Sequence, residues 1–258
     1  VTLGLYDSGL GGLTVLRALR AAGIDQDIVY FADQAHVPYG DKTEAQLHGY
    51  LAENLALLTE RRVDAVVMAC NTSCAVAQKL GWPSAPFPVL DLIANAGAAF
   101  AGTPHRRIGV VATAATVRAG AYGRAIRAAA PAAEVFELAA PALVPLVESG
   151  DADTAAARDA VRDAVAQLPP DLDALVYGCT HYPLLDRWFA AALAPRVARI
   201  DPAVAQAAAT ARLVARLGLA PGASATAYYT NGDAAPFETG VRRWTGDATG
   251  RVAALLVR

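Results

Sequence analysis

The chain has 258 residues, 55% of them apolar and 18% charged, enough to bury more than one hydrophobic core. Its 22 basic and 24 acidic side chains give a formal net charge of −2 and are scattered, with no basic stripe for nucleic acid and no polybasic patch for an anionic membrane. The expected partner is therefore a small molecule, with no nucleic acid and no membrane.

Taken in chain order, the first expected element is a strand over Leu3–Tyr6, ending in Asp7-Ser8-Gly9-Leu10-Gly11-Gly12. The opening residues lack the basic flank and cleavage site of a signal peptide, so a cytoplasmic location is expected. The glycine turn precedes a helix over Gly12–Ala22, and its amides and the Ser8 hydroxyl can receive an anion. It has neither the Gly-Lys-Ser/Thr ending of a P-loop nor the spacing of a dinucleotide fingerprint. Asp7 at the strand end is suited to holding an ammonium group or shuttling a proton, and equally to capping the helix. A strand over Ile28–Phe31 follows, then Val37-Pro38-Tyr39-Gly40, a turn that either lines a pocket mouth or only reverses the chain. A helix is expected over Glu44–Arg61 and a strand over Asp64–Ala69, which runs into Cys70-Asn71-Thr72.

The second half repeats the first. Asp64-Ala-Val-Val-Met-Ala-Cys70-Asn-Thr matches Asp173-Ala-Leu-Val-Tyr-Gly-Cys179-Thr-His at an offset of 109 positions, and Leu3–Ser8 matches Ile108–Thr113 at 105. Strands are expected over Arg107–Ala112, Asp173–Tyr177 and Ala225–Tyr229, with helices over Ala155–Leu168 and Ala203–Leu217. Strand and helix alternating throughout predict an α/β fold of two pseudosymmetric domains with mostly parallel sheets, residues 1–95 plus 208–258 and residues 96–207. Ligands of such sheets bind beyond the carboxyl ends of strands, so the active site is expected in the cleft between the domains, with Cys70 and Cys179 on opposite walls.

Two thiols in repeated positions suit a proton transfer that inverts a stereocentre, with a base on one face of a carbon and an acid on the other. Each cysteine is expected at a helix start, with Ser73 and Pro183 as N-cap and N1 residues, which should lower its pKa from about 8.5. Asn71, Thr72 and Thr180 beside the thiols can donate hydrogen bonds to a carboxylate whose charge develops in the reaction. His181, two positions past Cys179, can exchange its proton or simply be satisfied by backbone, and Glu148 at an apparent helix end can orient a histidine, although a lone glutamate more commonly lies exposed to solvent. His36, His48 and His105 have no cysteine nearby in sequence. An alternative set, Cys70, Cys74, Cys179 and His181 around zinc, lacks the close cysteine pair that structural zinc sites favour. The only lysines, Lys42 and Lys79, sit in no pyridoxal phosphate motif.

Asp7-Ser-Gly-Leu-Gly-Gly, Val37-Pro-Tyr-Gly, Ala69-Cys-Asn-Thr and Gly178-Cys-Thr-His-Tyr-Pro-Leu-Leu, in that order, resemble the glutamate racemases. Weaker echoes lie in Thr113–Tyr122, Leu146-Val-Glu148 and Tyr229–Phe237. The resemblance implies Cys70 and Cys179 as the catalytic pair, Asp7 assisting Cys70, and His181 with Glu148 assisting Cys179. It implies substrate contacts from Asp7, Ser8, Tyr39, Gly40, Asn71, Thr72, Thr180 and His181. It further implies no cofactor and no metal, glutamate as substrate, a homodimer, and supply of D-glutamate for peptidoglycan. The sequence departs from the family pattern at Ser73-Cys74, where a small Ala-Ser or Ala-Thr pair is usual, at Gln34 and His36, where Thr and Arg are common, and at Ala119, often Ser. Against this stand a racemase, isomerase or decarboxylase acting on another small acid, and a non-catalytic binding protein on the same scaffold.

Overall fold

The computed structural model describes residues 2–248 and 250–255. The expected first domain also takes in positions 1, 249 and 256–258, which lie outside the described residues. The chain begins with β1 (Thr2–Asp7), α1 (Leu13–Ala21), β2 (Asp27–Ala32), α2 (Glu44–Glu60), β3 (Ala65–Met68), α3 (Asn71–Leu80), β4 (Val89–Leu90) and α4 (Leu92–Ala98). It then runs through β5 (Arg107–Ala112), α5 (Ala114–Ala119), α6 (Ala121–Ala129), β6 (Glu134–Ala139), α7 (Leu143–Glu148) and α8 (Ala155–Val165). After β7 (Ala174–Gly178), α9 (Asp186–Ala192) and β8 (Ala198–Ile200), α10 (Pro202–Leu217) leads to β9 (Thr226–Thr230), α11 (Ala234–Thr245) and β10 (Val252–Ala254).

Two sheets result, in the orders β10-β9-β2-β1-β3-β4 and β6-β5-β7-β8, and every pairing is parallel. The repeat read in the sequence is repeated topology: β2-β1-β3-β4 of one lobe and β6-β5-β7-β8 of the other follow the same path. Cys70 after β3 and Cys179 after β7 therefore occupy equivalent places. Parallel strands covered on both faces need apolar side chains on both, which is why β1, β3, β5 and β7 read as continuous hydrophobic runs. The helices are delimited by local chemistry. Thr43 and Gln46 form a capping box at the start of α2, and Asp201 with Pro202 opens α10, which Gly218 closes in the left-handed conformation.

One core lies on each outer side of the pair of sheets, and a third continues from Tyr6, Leu51 and Met68 of the first lobe through Ile93 and Ala96 to Tyr122, Ile126 and Val176 of the second. The chain passes between lobes after α4 and again before α10; positions 95–96 and 207–208 fall inside those two helices. Among the described residues no helix is long and apolar enough to cross a membrane.

Candidate active site

In the first lobe the site is built on the carboxyl ends of β1 and β3. Asp7, fully buried, accepts the amides of Gly9 and Gly12 at 3.1 and 2.7 Å, so the carboxylate organises the glycine turn into α1. Burial pushes its pKa up to about 6, against the pull of His181 and the two amides. Cys70 is the N-cap of α3, and only 3% of it is exposed. The thiol completes no side-chain cap bond, although the Ser73 hydroxyl and amide favour its thiolate. Burial dominates and the Asp7 charge adds to it, pushing Cys70 up to about 12. The expected lowering by a helix start is thus overturned at Cys70: a few amide dipoles cannot replace lost hydration. Nor is Ser73 the cap; α3 begins at Asn71, so Ser73 is its third residue.

In the second lobe Cys179 follows β7, and its Sγ lies 3.6 Å from Nδ1 of His181. His181 Nε2 meets Glu148 Oε1 at 2.5 Å, and that oxygen also accepts the Leu10 amide of the first lobe at 2.8 Å. Burial lowers the His181 pKa, but Cys179 and Glu148 outweigh it and the net shift is strongly upward. Burial raises Glu148, but His181 and the Leu10 amide outweigh that, and its net shift is downward. Opposite shifts in contact mean that a proton gained by His181 is held beside an ionised Glu148. The helix expected directly after Cys179 is instead a short 3-10 turn over Tyr182–Leu185 containing Pro183, and α9 starts only at Asp186.

The two thiols line one cavity together with Ser8, Tyr39, Gly40, Asn71, Thr72, Thr180 and His181. Asp7 and Glu148 stand behind this wall, Asp7 accepting from the Thr180 hydroxyl at 3.3 Å. Asn71 Oδ1 accepts the Tyr122 hydroxyl at 2.5 Å, whereas its buried Nδ2 has no partner. Thr113 and Val144 also line the cavity. Thr113 and Thr116 bond the Thr72 hydroxyl at 2.9 and 3.3 Å. Sequence reasoning missed these threonines, although the repeat had already aligned Thr113 with Ser8. Cys74 is not part of the site; it is buried in the core beside the start of α4. The proposed zinc set is therefore not brought together, and among the described residues no group of three or more His, Cys, Asp or Glu is arranged to hold a metal. Three larger surface grooves, of about 650, 450 and 400 Å³, contain neither thiol, whereas the thiol cavity has about 20 Å³ of free space.

Residues 14–210 match the family described as Asp/Glu/Hydantoin racemase. The chain is 44% identical over 206 residues to a glutamate racemase of Desulforudis audaxviator, covering 79% of this chain and 76% of that one. It is 42% identical over 245 residues to that of Gloeobacter violaceus, covering 95% and 92%. Among crystal structures, the fold matches glutamate racemase from Thermus thermophilus in complex with Beta-chloro-D-alanine at a TM-score of 0.84 and 34% identity, over 99% and 96% of the chains. It also matches that of Francisella tularensis in complex with D-glutamate at a TM-score of 0.87 and 25% identity, over 99% and 97%.

Proposed function

Because the chain belongs to the Asp/Glu/Hydantoin racemase family, we propose that it interconverts L- and D-glutamate by passing the α-proton between Cys70 and Cys179. The observation that carries this reading is two thiols, at equivalent strand ends of repeated lobes, lining a single buried cavity. A base reaches an α-hydrogen only from its own face, so two bases on opposite walls serve opposite enantiomers. With the assignment the family resemblance suggests, Cys179 removes the α-hydrogen of L-glutamate and Cys70 that of D-glutamate, and the other thiol returns a proton to the opposite face.

The remaining residues divide between the two half-reactions. His181, held by Glu148, accepts the Cys179 proton and leaves a thiolate, which the adjacent imidazolium stabilises. Asp7 plays the corresponding part near Cys70. Negative charge developing at the α-carbon and its carboxylate is met by donors fixed beforehand: Asn71 Nδ2, which has no partner among the described residues, and the hydroxyls of Ser8 and Thr72, with Thr180 beside them. Tyr39 and Gly40 close the remaining wall. In this reading the working units are the two lobes, read in the sequence as residues 1–95 with 208–258 and residues 96–207, with the boundaries moved to the end of α4 and the start of α10. A cytoplasmic homodimer that needs no cofactor and supplies D-glutamate for peptidoglycan rests on the family likeness.

The test is incubation of protein freed of pyridoxal phosphate and metal with each enantiomer of glutamate and of aspartate in deuterated water, followed by chiral chromatography and mass spectrometry. Glutamate is expected to racemise with deuterium at the α-carbon. Cys70→Ala and Cys179→Ala are expected to abolish this, and Cys74→Ser to retain it. A folded Cys74→Ser protein as inactive as the other two would overturn the assignment of the pair.

A further inference from the structure

A buried run of hydrogen-bonded side chains leads from Ser73, in the first turn after Cys70, to the surface. Ser73, three residues along from the Cys70 cap, has its hydroxyl 3.3 Å from the Tyr6 hydroxyl, which is 2.7 Å from the Tyr39 hydroxyl. Tyr39 donates to Asp33 Oδ2, and Asp33 Oδ1 lies 2.6 Å from His36 Nδ1. Ser73, Tyr6 and Asp33 are fully buried and Tyr39 nearly so, whereas the His36 side chain is 29% exposed. His36 is held in place by stacking on Tyr50, at 3.7 Å and 12° between rings, and Asp33 by Asn54 and Asn231.

Two-base racemisation makes such an outlet useful. Conversion of L to D ends with a thiol at Cys179 and a thiolate at Cys70, the reverse of the state that began it. Another turnover in the same direction requires one proton to leave Cys179 and one to reach Cys70. Cys179 has His181 and Glu148, whereas among the described residues no imidazole is hydrogen-bonded to Cys70.

We propose that Ser73, Tyr6, Tyr39, Asp33 and His36 form a proton relay that exchanges the Cys70 proton with solvent between turnovers. The relay rests on the two-thiol reading above. In the outward direction Cys70 passes its proton to Ser73 Oγ as Ser73 passes its own to Tyr6, Tyr6 to Tyr39, and Tyr39 to Asp33 Oδ2. The proton shared by Asp33 Oδ1 and His36 Nδ1 settles on the imidazole. Only S–H, O–H and N–H bonds change: a thiol and a neutral imidazole become a thiolate and an imidazolium, which releases its proton to water. The same steps in reverse recharge Cys70.

β-Chloroglutamate isolates this step, because removal of the α-hydrogen expels chloride and returns no proton to carbon. Every elimination therefore leaves on the acting thiol a proton that must be shed, at Cys70 for the D-analogue and at Cys179 for the L-analogue. Chloride release is measured for wild type, Ser73→Ala and His36→Ala. Both variants are expected to slow with the D-analogue on the order of tenfold and to match wild type with the L-analogue. Added imidazole is expected to restore His36→Ala and not Ser73→Ala. Wild-type rates with both analogues in both variants would overturn the relay, the proton then leaving through Asp7, and would leave the two-thiol reading standing. Equal losses with both analogues would also overturn it, since they would mark a structural role. A wild-type protein that eliminates chloride from neither analogue would overturn the two-thiol reading and the relay with it.

Discussion

Asp7 is buried as an ionisable group, at a cost to stability. Its carboxyl is pushed up to about 6 because it is fully buried, and two amides with the Thr180 hydroxyl only partly replace water. A group whose folded pKa is raised binds its proton more readily in the native state. That contribution to stability is complete below pH 3.8 and is lost as the pH rises through about 6. Above that value the ionised carboxylate costs about 3 kcal/mol. Asparagine fits the same bonds, its oxygen accepting the two amides and its amide donating to Thr180. Asp7→Asn is therefore expected to gain about 3 kcal/mol at pH 8 and almost nothing at pH 4, while losing racemisation. Denaturant unfolding of both proteins at the two pH values checks this, and a pH-independent difference would refute it. The same carboxylate is expected to give kcat/KM an acid limb near pH 6 in the wild type.

The glycine turn between β1 and α1 shows what one element demands of its sequence. Gly9, Gly11 and Gly12 are not there for unusual backbone angles; their φ values are not positive. Gly9 and Gly11 are there because the second lobe closes onto them, and Gly12 because Asp7 and Tyr30 of its own lobe leave no room for a side chain. A Cβ at Gly11 would lie 2.4 Å from His181 Nδ1 and 2.5 Å from Thr180 Oγ1, and one at Gly9 2.2 Å from Glu148 Oε1. Gly11→Ala must displace His181 from Cys179, and kcat/KM is expected to fall on the order of a hundredfold in both directions. Gly49→Ala is the control. It adds a methyl to the interior of α2 with nothing within 4 Å, and is expected to stabilise by about 0.5–1 kcal/mol without changing activity. Steady-state kinetics with thermal unfolding separate the two effects. Strands buried on both faces, the long helices and the strand-end cysteines were all legible in the sequence, because each leaves a local hydrophobic or repeat signal. Several other elements leave little. β6 and β8 are short or half-buried, and α3 opens on Asn, Thr, Ser and Cys, weak helix formers that are placed by the lobe around them. The hydroxyls of Tyr6 and Tyr39 and the carboxylate of Asp33 meet only through the fold, which no spacing rule announces.

At the scale of the whole molecule, the cavity is too small for the substrate proposed for it. About 20 Å³ is close to the roughly 10–15 Å³ of room that the centre of a single water needs, whereas a five-carbon amino acid needs the space of several waters. The lobes must therefore part to admit glutamate and close for the reaction, which also excludes water from the thiols. The contacts on the two sides of the molecule differ in kind. At the joint, α4 and α6 cross so closely that a Cβ at Gly97 would meet that of Ala125 at 2.5 Å, within an apolar core continuous between lobes. At the cleft the contacts are polar, among them Leu10 N–H to Glu148, Thr14 hydroxyl to the Thr180 carbonyl, and Arg243 to Asp153. Polar contacts that water can replace are the ones to open. The Leu10 amide reports on this directly. Its side chain is wedged against Gly240 of α11 in the first lobe, so the bond to Glu148 breaks only when the lobes separate. In the free protein its hydrogen is expected to exchange much faster than those of Leu5 and Val176 in the central strands, which need global unfolding. Saturating D-glutamate bridges both walls and should hold the closed form, slowing Leu10 exchange on the order of tenfold or more. The Ala157 amide, capped by Thr154 wholly within the second lobe, frays locally and should be unchanged. Exchange at Leu10 as slow as in the core strands without ligand, or equally fast with it, would mean that substrate enters without separation of the lobes.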